Sequence, residues 1–173
     1  STSTQRQVGL YAQDQLRFDQ HWLVTLGLRH DRARNVSEGA APGGGDDVQN
    51  HSATTKRVGL LYAAPLGVSP YVSYSESFTP VANIATQSFE PLRGKQWELG
   101  VKYEPADTGF SLNVAAYDVR ELNQLEQDMT TSLYAQLGET KARGFEIDAK
   151  ASLARSLDLI ASYTYTELSE KLE

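Results

Sequence analysis

Residues 93–105 read RGKQWELGVKYEP, and the middle of this stretch alternates strictly between apolar and polar side chains. Successive side chains of an extended chain point to opposite faces, so each half of the alternation occupies one face. The apolar face holds Trp97, Leu99, Val101 and Tyr103. The polar face holds Gln96, Glu98, Gly100, Lys102 and Glu104. The stretch therefore predicts a β-strand with one apolar and one polar face.

Two environments fit such a strand. In a water-soluble sandwich or a lipocalin-like barrel, the apolar face is buried in a core that includes Trp22 and Trp97, and the polar face meets solvent. In a transmembrane barrel, the apolar face meets lipid and the polar face lines a wet lumen. The alternation alone is compatible with both.

The composition of the chain excludes several classes of protein. The 173 residues carry a formal net charge of -6 and no cysteine. We expect no nucleic-acid partner, because phosphate binding needs clustered Lys and Arg. A disulfide framework and a thiolate metal site are also excluded. The chain contains no run of eighteen apolar residues, so no transmembrane helix is predicted. A barrel strand, however, needs only about nine to eleven alternating residues.

Eight strands are predicted along the chain, and no long amphipathic helix competes with them. Residues 121–129 are the nearest helical candidate, but they lack a clear N-cap, and we interpret them as strand continuation or loop. Residues 70–78 carry aromatic and hydroxyl side chains on both faces, so their register stays undecided. The predicted strands are 7–18, 22–32, 56–64, 70–78, 95–104, 110–120, 143–152 and 157–166.

Short and long connections alternate between these strands. The turn at 19–21, APLGVS, PADTG and LARS are short, whereas NVSEGAAPGGGDDVQNHSATT, TPVANIATQSFEPLRG and ELNQLEQDMTTSLYAQLGETKA are long. This asymmetry predicts an antiparallel up-and-down meander, and it is typical of outer-membrane barrels with short periplasmic turns and long extracellular loops. Aromatic residues at predicted strand ends favour the same interpretation. They are Trp22, Tyr103, Phe110, Tyr163 and Tyr165.

Several co-linear motifs resemble one known family. PYVSYSESFTPV, FEPLRGKQWELGVKYEP, GETKARGFEIDAKASL and LDLIASYTYTE are similar to the barrel of TonB-dependent siderophore receptors, in particular the ferric-hydroxamate (ferrichrome-type) group. The upstream QVGLYAQDQLRF and WLVTLGLRHD fit the same family in the same order. The resemblance covers nearly the whole chain apart from its long loops, and it turns the apolar face toward lipid.

The resemblance implies a bacterial outer-membrane receptor that binds a ferric siderophore and imports it with energy from TonB. It implies no catalysis and no cofactor, since iron is carried only as a siderophore complex. Members resemble one another in a plug domain inside a barrel of about twenty-two strands. Residues 1–173 have no plug, no TonB-contacting box and no C-terminal strand that ends in an aromatic residue. We therefore expect a middle-to-late section of the barrel, about eight strands, with both ends on the external side.

Candidate ligand contacts are the aromatic residues nearest the long-loop ends, because a hydroxamate complex offers apolar backbone and carbonyl acceptors around a shielded iron. In the alternative interpretation, Tyr74 and Phe78 belong to the aromatic girdle and Phe89 packs within its own loop. No contact residue of the family transfers onto a matching position. The four candidates are Tyr74, Phe78, Phe89 and Tyr134.

Other chemistry-bearing residues are interpreted as structural. His21, His30 and His51 fall in a predicted turn, at a strand end and in a loop, without the spacing of a metal motif. GGGDD at 43–47 lacks the spaced acidic positions of a calcium loop and is expected to be a flexible external loop.

Two further functions are weaker alternatives. A self-contained eight-stranded outer-membrane barrel with a structural or adhesive role needs a final strand that ends in an aromatic residue, and ELSEKLE contains none. A barrel hydrolase needs a serine beside a histidine, and Ser73, Ser75 and Ser77 have no histidine near them in the predicted strand order.

Overall fold

A computed structural model describes residues 3–37, 46–82, 87, 89–127, 129, 133–136, 138–154 and 156–171. These residues contain no helix that is long and apolar enough to span a membrane. A 3-10 turn covers Pro65–Gly67. The strands are β1 Ser3–Phe18, β2 Trp22–Ser37, β3 Asp47–Tyr62, β4 Val68–Thr79, β5 Leu92–Tyr103, β6 Phe110–Leu122, β7 Leu125–Gln127, β8 Tyr134–Gln136, β9 Glu139–Ala154 and β10 Leu157–Lys171.

Eight of these strands form one sheet in the order β1-β2-β3-β4-β5-β6-β9-β10. Every neighbouring pair is antiparallel, which confirms the predicted all-β meander. The two remaining strands, β7 and β8, pair with each other and form a small hairpin between β6 and β9. Within the described residues, β1 and β10 each have a single neighbour in the sheet, so this sheet is open.

The short connections are tight turns built on residues with positive φ. Asp19 and Gln20 have φ of 47° and 57°, and the His21 amide donates back to the Phe18 carbonyl at 3.2 Å. In the next short turn, the Gly67 carbonyl accepts from the Glu104 amide at 2.8 Å, which ties two short connections to each other. A Cβ at Gly67 would meet the Glu104 backbone, and its φ of 78° also favours glycine. These turns lie at one end of the sheet, as the sequence predicts.

At their long-loop ends, several strands extend further than the sequence predicts. β2 continues to Ser37 and β3 begins at Asp47, so most of the long connection predicted between them is strand, and pairs such as Val36–Val48 continue the ladder. A strand of 16 residues extends about 53 Å, more than the roughly 9–11 residues that cross a bilayer. Sequence reasoning missed these extensions because their hydrogen-bonded backbone carries mainly polar side chains on both faces. Residues 43–45 of the predicted flexible loop lie outside the described residues.

The sheet has almost no covered apolar core. Among the residues that the structure describes, the buried apolar residues are Ala33, Phe89, Ala115 and the two prolines Pro80 and Pro91. The apolar face of β5 is uncovered, with Trp97 57% and Leu99 65% exposed. A soluble sandwich would bury these side chains, so the soluble interpretation is wrong for this sheet.

Cross-strand pairing extends the two faces of β5 across the sheet. Tyr74 and Val72 pair with Trp97 and Leu99, so they share the apolar face, whereas Tyr71 pairs with Gly100 on the polar face. The undecided register of β4 is therefore settled by its neighbours. The same pairing places Val58, Leu60, Leu26, Val114, Phe145 and Tyr163 on the apolar face.

Aromatic residues of the apolar face form two groups. Near the short turns, Trp22 contacts Tyr62 with ring centroids 4.6 Å apart, and Tyr103 contacts Phe110 at 6.1 Å. Further along the strands, Tyr74 contacts Trp97 at 4.9 Å. Phe145 contacts Tyr163 and Tyr165 at 5.9 Å and 5.8 Å. The predicted positions of Trp22, Tyr103 and Phe110 at strand ends are confirmed, but Tyr163 and Tyr165 lie inside β10, because this strand continues to Lys171.

Candidate functional site

The polar face lines the concave side of the sheet. Side chains from both edge strands, Gln13 of β1 and Ser162 of β10, line one recess of about 650 Å³, so the strands curve around it. Charged side chains of both signs are distributed over this recess, which keeps it wettable. They are Arg57, Glu98, Lys102, Glu104, Asp148 and Lys150.

Tyr71 organises one wall of this recess. Its hydroxyl donates to Glu98 Oε1 at 2.7 Å and lies 3.3 Å from Asn113 Oδ1. Gln96 Nε2 donates to the other oxygen of Glu98 at 3.1 Å. Lys102 Nζ lies 5.5 Å from the centre of the Tyr71 ring, within the range of a cation–π contact. The wall is thus a bonded polar network on three adjacent strands.

A second polar cluster lies on the same face between β1 and β2, nearer to the long-loop end of the strands. Asp31 is 2% exposed, and its two oxygens accept from Arg29 Nε at 2.6 Å and Arg29 Nη2 at 2.8 Å. Gln7 Nε2 also donates to Asp31 Oδ1 at 3.0 Å. Three donors on one buried carboxylate satisfy its charge, so this cluster stabilises the wall.

The residues that directly follow β4 contact the polar face near the loop end of β2. Pro80 is buried, and the carbonyl of Val81 accepts from Asn35 Nδ2 at 2.8 Å. Asn35 is fully buried, and its Oδ1 has no hydrogen-bond partner. In the described residues, β3 pairs with β4 between Arg57 and Leu61, so the part of β3 before Arg57 has no strand ladder on that side. Val81 is therefore held against the wall of the polar face by Asn35.

Two glutamines bond this connection to the one between β6 and β9. Gln87 Nε2 donates to the Tyr134 carbonyl at 2.9 Å, and the Tyr134 amide donates to Gln87 Oε1 at 3.2 Å. In the reverse direction, Gln136 Nε2 donates to the Glu90 carbonyl at 2.7 Å, and the Glu90 amide donates to Gln136 Oε1 at 2.9 Å. Each side-chain amide occupies the donor and the acceptor of one backbone residue. We call these two glutamines and their two backbone partners the amide clasp.

Additional contacts reinforce the amide clasp. Gln136 Nε2 also donates to the Asn123 carbonyl at 3.0 Å, and Asn123 Nδ2 donates to the Pro91 carbonyl at 2.9 Å. Phe89 is 6% exposed and meets the Tyr134 ring edge-on at 6.4 Å. Aromatic packing and side-chain amides together join the two connections.

Comparison with known proteins assigns this architecture to a family. The family model described as TonB dependent receptor-like, beta-barrel, matches residues 1–172. The chain belongs to this family. It is 42% identical to the ferrichrome outer membrane transporter/phage receptor of Escherichia coli over 166 residues, which are 94% of this chain and 22% of that protein. It is 38% identical to the ferrioxamine B receptor of Salmonella typhimurium over 168 residues, 96% of this chain and 24% of that protein.

Solved TonB-dependent receptor structures confirm the fold. The ferripyoverdine receptor of the Pseudomonas aeruginosa outer membrane, at 22% identity, superimposes with a TM-score of 0.80 over 97% of this chain and 23% of its own. The siderophore receptor PiuA of Acinetobacter baumannii, at 25% identity, gives 0.76 over 96% of this chain and 26% of its own. This receptor barrel section therefore spans about a quarter of the length of the curated relatives it matches, and it is part of an outer-membrane β-barrel.

The receptor barrel separates the four predicted ligand contacts into two pairs. Tyr74 pairs with Trp97 and so lies on the apolar face, and its hydroxyl donates to Glu76 Oε1 at 2.6 Å. Phe78 occupies the same face four residues further along β4. Phe89 and Tyr134 are in contact within the loops. The structure therefore brings Phe89 and Tyr134 together and places Tyr74 and Phe78 on the apolar face of the sheet.

The histidines of this receptor barrel are engaged with neighbouring groups. His21 lies in the predicted turn, where its Nδ1 is 2.6 Å from the Asp19 carbonyl. The other two are inside strands, not at a strand end or in a loop as expected, because β2 and β3 are longer than predicted. His30 Nδ1 is 2.9 Å from Thr54 Oγ1, and His51 Nε2 is 3.4 Å from Gln49 Oε1. Within the described ranges, no three acidic, histidine or cysteine side chains are grouped to hold a metal ion.

Sequence reasoning missed the amide clasp. Gln87 and Gln136 lie in segments that the sequence predicts as loops, and no motif distinguishes them from other glutamines. Their roles depend on which loops are adjacent in space. A pairing between residues 47 positions apart in the chain has no local signal.

Proposed function

We propose that this chain is a section of an outer-membrane receptor that binds a ferric siderophore of the hydroxamate type and imports it with energy from TonB. The observation that carries the proposal is the 42% identity to a ferrichrome transporter over 94% of the chain, supported by 38% identity to a ferrioxamine B receptor. Both relatives are named for ligands of the hydroxamate class. We infer that the protein carries out no chemistry on its ligand and has no cofactor, and that it handles iron only as the siderophore complex.

In this proposal the apolar face meets outer-membrane lipid and the polar face lines the lumen. The uncovered Trp97 and Leu99, and the aromatic groups at two levels of the sheet, suit a lipid-facing surface. The recess around Glu98, Lys102 and Asp148 suits a hydrated lumen. Residues 1–173 then form part of the barrel, and contact with TonB belongs to a plug region elsewhere in the receptor.

The open sheet argues against a self-contained eight-stranded barrel. Such a barrel needs β1 and β10 to pair, and in the described residues each is an edge strand. Nor does a hydrolase gain support. His21, His30 and His51 contact Asp19, Thr54 and Gln49, and no described contact joins a histidine to the serines of β4.

Among the four candidate ligand contacts, the geometry favours Tyr134. It is partly exposed and lies on the loops, and the buried Phe89 supports its ring. We propose that Tyr74 and Phe78 serve the aromatic girdle, since they share the face of Trp97. A hydroxamate siderophore complex presents apolar and carbonyl surface that an aromatic ring can cover.

The proposal is tested with the intact receptor in a strain that lacks its other siderophore receptors. We expect uptake of ⁵⁵Fe from ferrichrome or ferrioxamine B and none from a catecholate complex, and we expect uptake to stop when TonB is removed. Uptake that is independent of TonB, or confined to catecholates, would overturn the proposal. In the same strain, Tyr134→Ala should weaken binding of the hydroxamate complex about tenfold, whereas Tyr74→Ala and Phe78→Ala should leave it unchanged.

A further inference from the structure

The amide clasp has a geometry that ordinary loop contacts lack. In each half, one glutamine side chain satisfies both the amide and the carbonyl of a single backbone residue in the other connection. A primary amide presents a donor and an acceptor side by side, as a neighbouring β-strand does. Each glutamine side chain therefore bonds one backbone residue of the other connection as a neighbouring β-strand would. The two halves of the clasp are reciprocal, because each connection supplies one glutamine and one backbone partner.

Reciprocity makes the clasp cooperative. If the connections separate near Gln87, the Tyr134 amide and carbonyl both lose their partners, and the same holds for Glu90 near Gln136. In the β4–β5 connection, Phe89 lies between Gln87 and Glu90 in sequence. Its ring contacts Tyr134 of the β6–β9 connection. Opening one half therefore exposes the Phe89 ring and weakens the other half, because hydrogen bonds in a shared network support one another.

The clasp also forms one side of a recess. The recess has a volume of about 210 Å³ and lies between the clasp and the loop end of β3. Its clasp side is formed by Phe89, Glu90 and Gln136, and its β3 side by Gln49, Asn50 and His51. Asn35 anchors the β4–β5 connection to the wall at Val81. One side of the recess is thus a strand of the barrel, and the other side is held in place by the clasp.

We propose that Gln87 and Gln136 are positioning residues that join the described residues around them in the β4–β5 and β6–β9 connections into a single rigid unit, which holds Tyr134 and the recess beside β3 in the geometry that receives the ligand. The part of this inference that concerns ligand affinity rests on the proposed function. The mechanical coupling of the two connections does not.

The Glu90 and Tyr134 amides report directly on the clasp, because the two glutamine side chains accept their hydrogens. In the intact receptor in lipid, we measure backbone hydrogen–deuterium exchange for Gln87→Ala and for Gln136→Ala. We expect exchange at both amides to accelerate at least tenfold in either variant. Acceleration only at the amide that each glutamine bonds would overturn the single unit, since the connections would then open separately. Gln87→Glu keeps an acceptor for the Tyr134 amide and should restore part of its protection.

Gln49→Ala is the matched control, since Gln49 lines the same recess without taking part in the clasp. Its exchange at Glu90 and Tyr134 should equal that of the parent receptor. The urea midpoint of barrel unfolding should be the same for all these variants, because the clasp lies outside the eight-stranded sheet. A shifted midpoint in Gln87→Ala or Gln136→Ala would show a general structural role and would overturn the positioning role.

Ligand binding is measured separately with ferrichrome and ferrioxamine B. We expect Gln87→Ala and Gln136→Ala to raise the dissociation constant about tenfold, mainly through faster dissociation, and the double variant to add little further. Accelerated exchange with unchanged dissociation constants would overturn the positioning role. A parent receptor that binds neither complex would overturn the proposed function, while the exchange data would still decide whether the connections move as one unit.

Discussion

The ring of Tyr71 lies across Gly100 on the neighbouring strand. A Cβ at position 100 would lie 2.5 Å from Tyr71 Cζ, well inside contact distance. Gly100 therefore provides the space in which the ring lies flat on the wall, and from which its hydroxyl reaches Glu98 Oε1 at 2.7 Å. A glycine on a strand opposite an aromatic ring usually marks such a close approach.

The first prediction concerns Gly100→Ala. The added methyl must displace Tyr71 and break its hydrogen bond to Glu98, so we expect a loss of roughly 1 to 3 kcal/mol of unfolding free energy, the usual range for overpacking. The measurement is urea unfolding of the intact receptor in lipid. Gly27→Ala is the control, because its Cβ would lie 3.5 Å from the nearest atom. Equal losses in the two variants would show that Tyr71 yields its position freely.

A second prediction concerns charge on the apolar face. Leu99→Arg or Val101→Arg should cost roughly 2 to 4 kcal/mol if the position is near the bilayer midplane, because the guanidinium would enter hydrocarbon. Thr164→Arg is a matched control on the polar face. Thr164 pairs with Glu146, Glu146 with Ala115, and Ala115 with Gly100. Thr164 therefore lies in the same row of the sheet as Gly100, the residue next to Leu99. The same unfolding assay compares them, and a similar cost on both faces would contradict the lipid assignment.

A third prediction uses a spin label at Val101. In the intact receptor, the label should be quenched by oxygen, which concentrates in acyl chains, and protected from a water-soluble nickel or chromium complex. A label at Lys102, on the opposite face, should show the reverse preference. Accessibility of the Val101 label to the water-soluble quencher would turn the apolar face away from lipid.

The fourth prediction concerns residues 1–173 expressed alone. An open sheet in lipid exposes unpaired backbone groups at β1 and β10, and strands taken from a wide cylinder have the wrong tilt and shear to close at eight. We expect the refolded segment to show neither heat-modifiable migration in electrophoresis nor protease resistance. The intact receptor, refolded in the same way, is the positive control. A heat-modifiable, protease-resistant segment would mean that the strands close by themselves.

Local alternation predicted most of the sheet. Trp97, Leu99, Val101 and Tyr103 read as one face from the sequence, and the structure confirms that face and the strand that carries it. The loop asymmetry likewise predicted the tight turn at Asp19. These features are local, since strand period and turn chemistry act over a few residues.

Polar extensions and loop packing escaped the same reasoning. Ser37 and Asp47 are paired in a ladder whose signal is backbone hydrogen bonding, which leaves no apolar pattern in the sequence. His30 and His51 were misplaced for this reason. The amide clasp was invisible because Gln87 and Tyr134 are distant in the chain and adjacent only after the sheet has formed.

The sequence by itself determined that this protein is an antiparallel meander with one apolar and one polar face, because side-chain period and turn residues depend only on near neighbours. Tertiary structure decided what each ambiguous residue does. Tyr71 and Tyr74 are three positions apart and look alike in the sequence, yet pairing with Gly100 and Trp97 places them on opposite faces. The physical reason is that a strand register is set by hydrogen bonds to its neighbours, and a one-residue slip would exchange the lumen wall and the apolar surface.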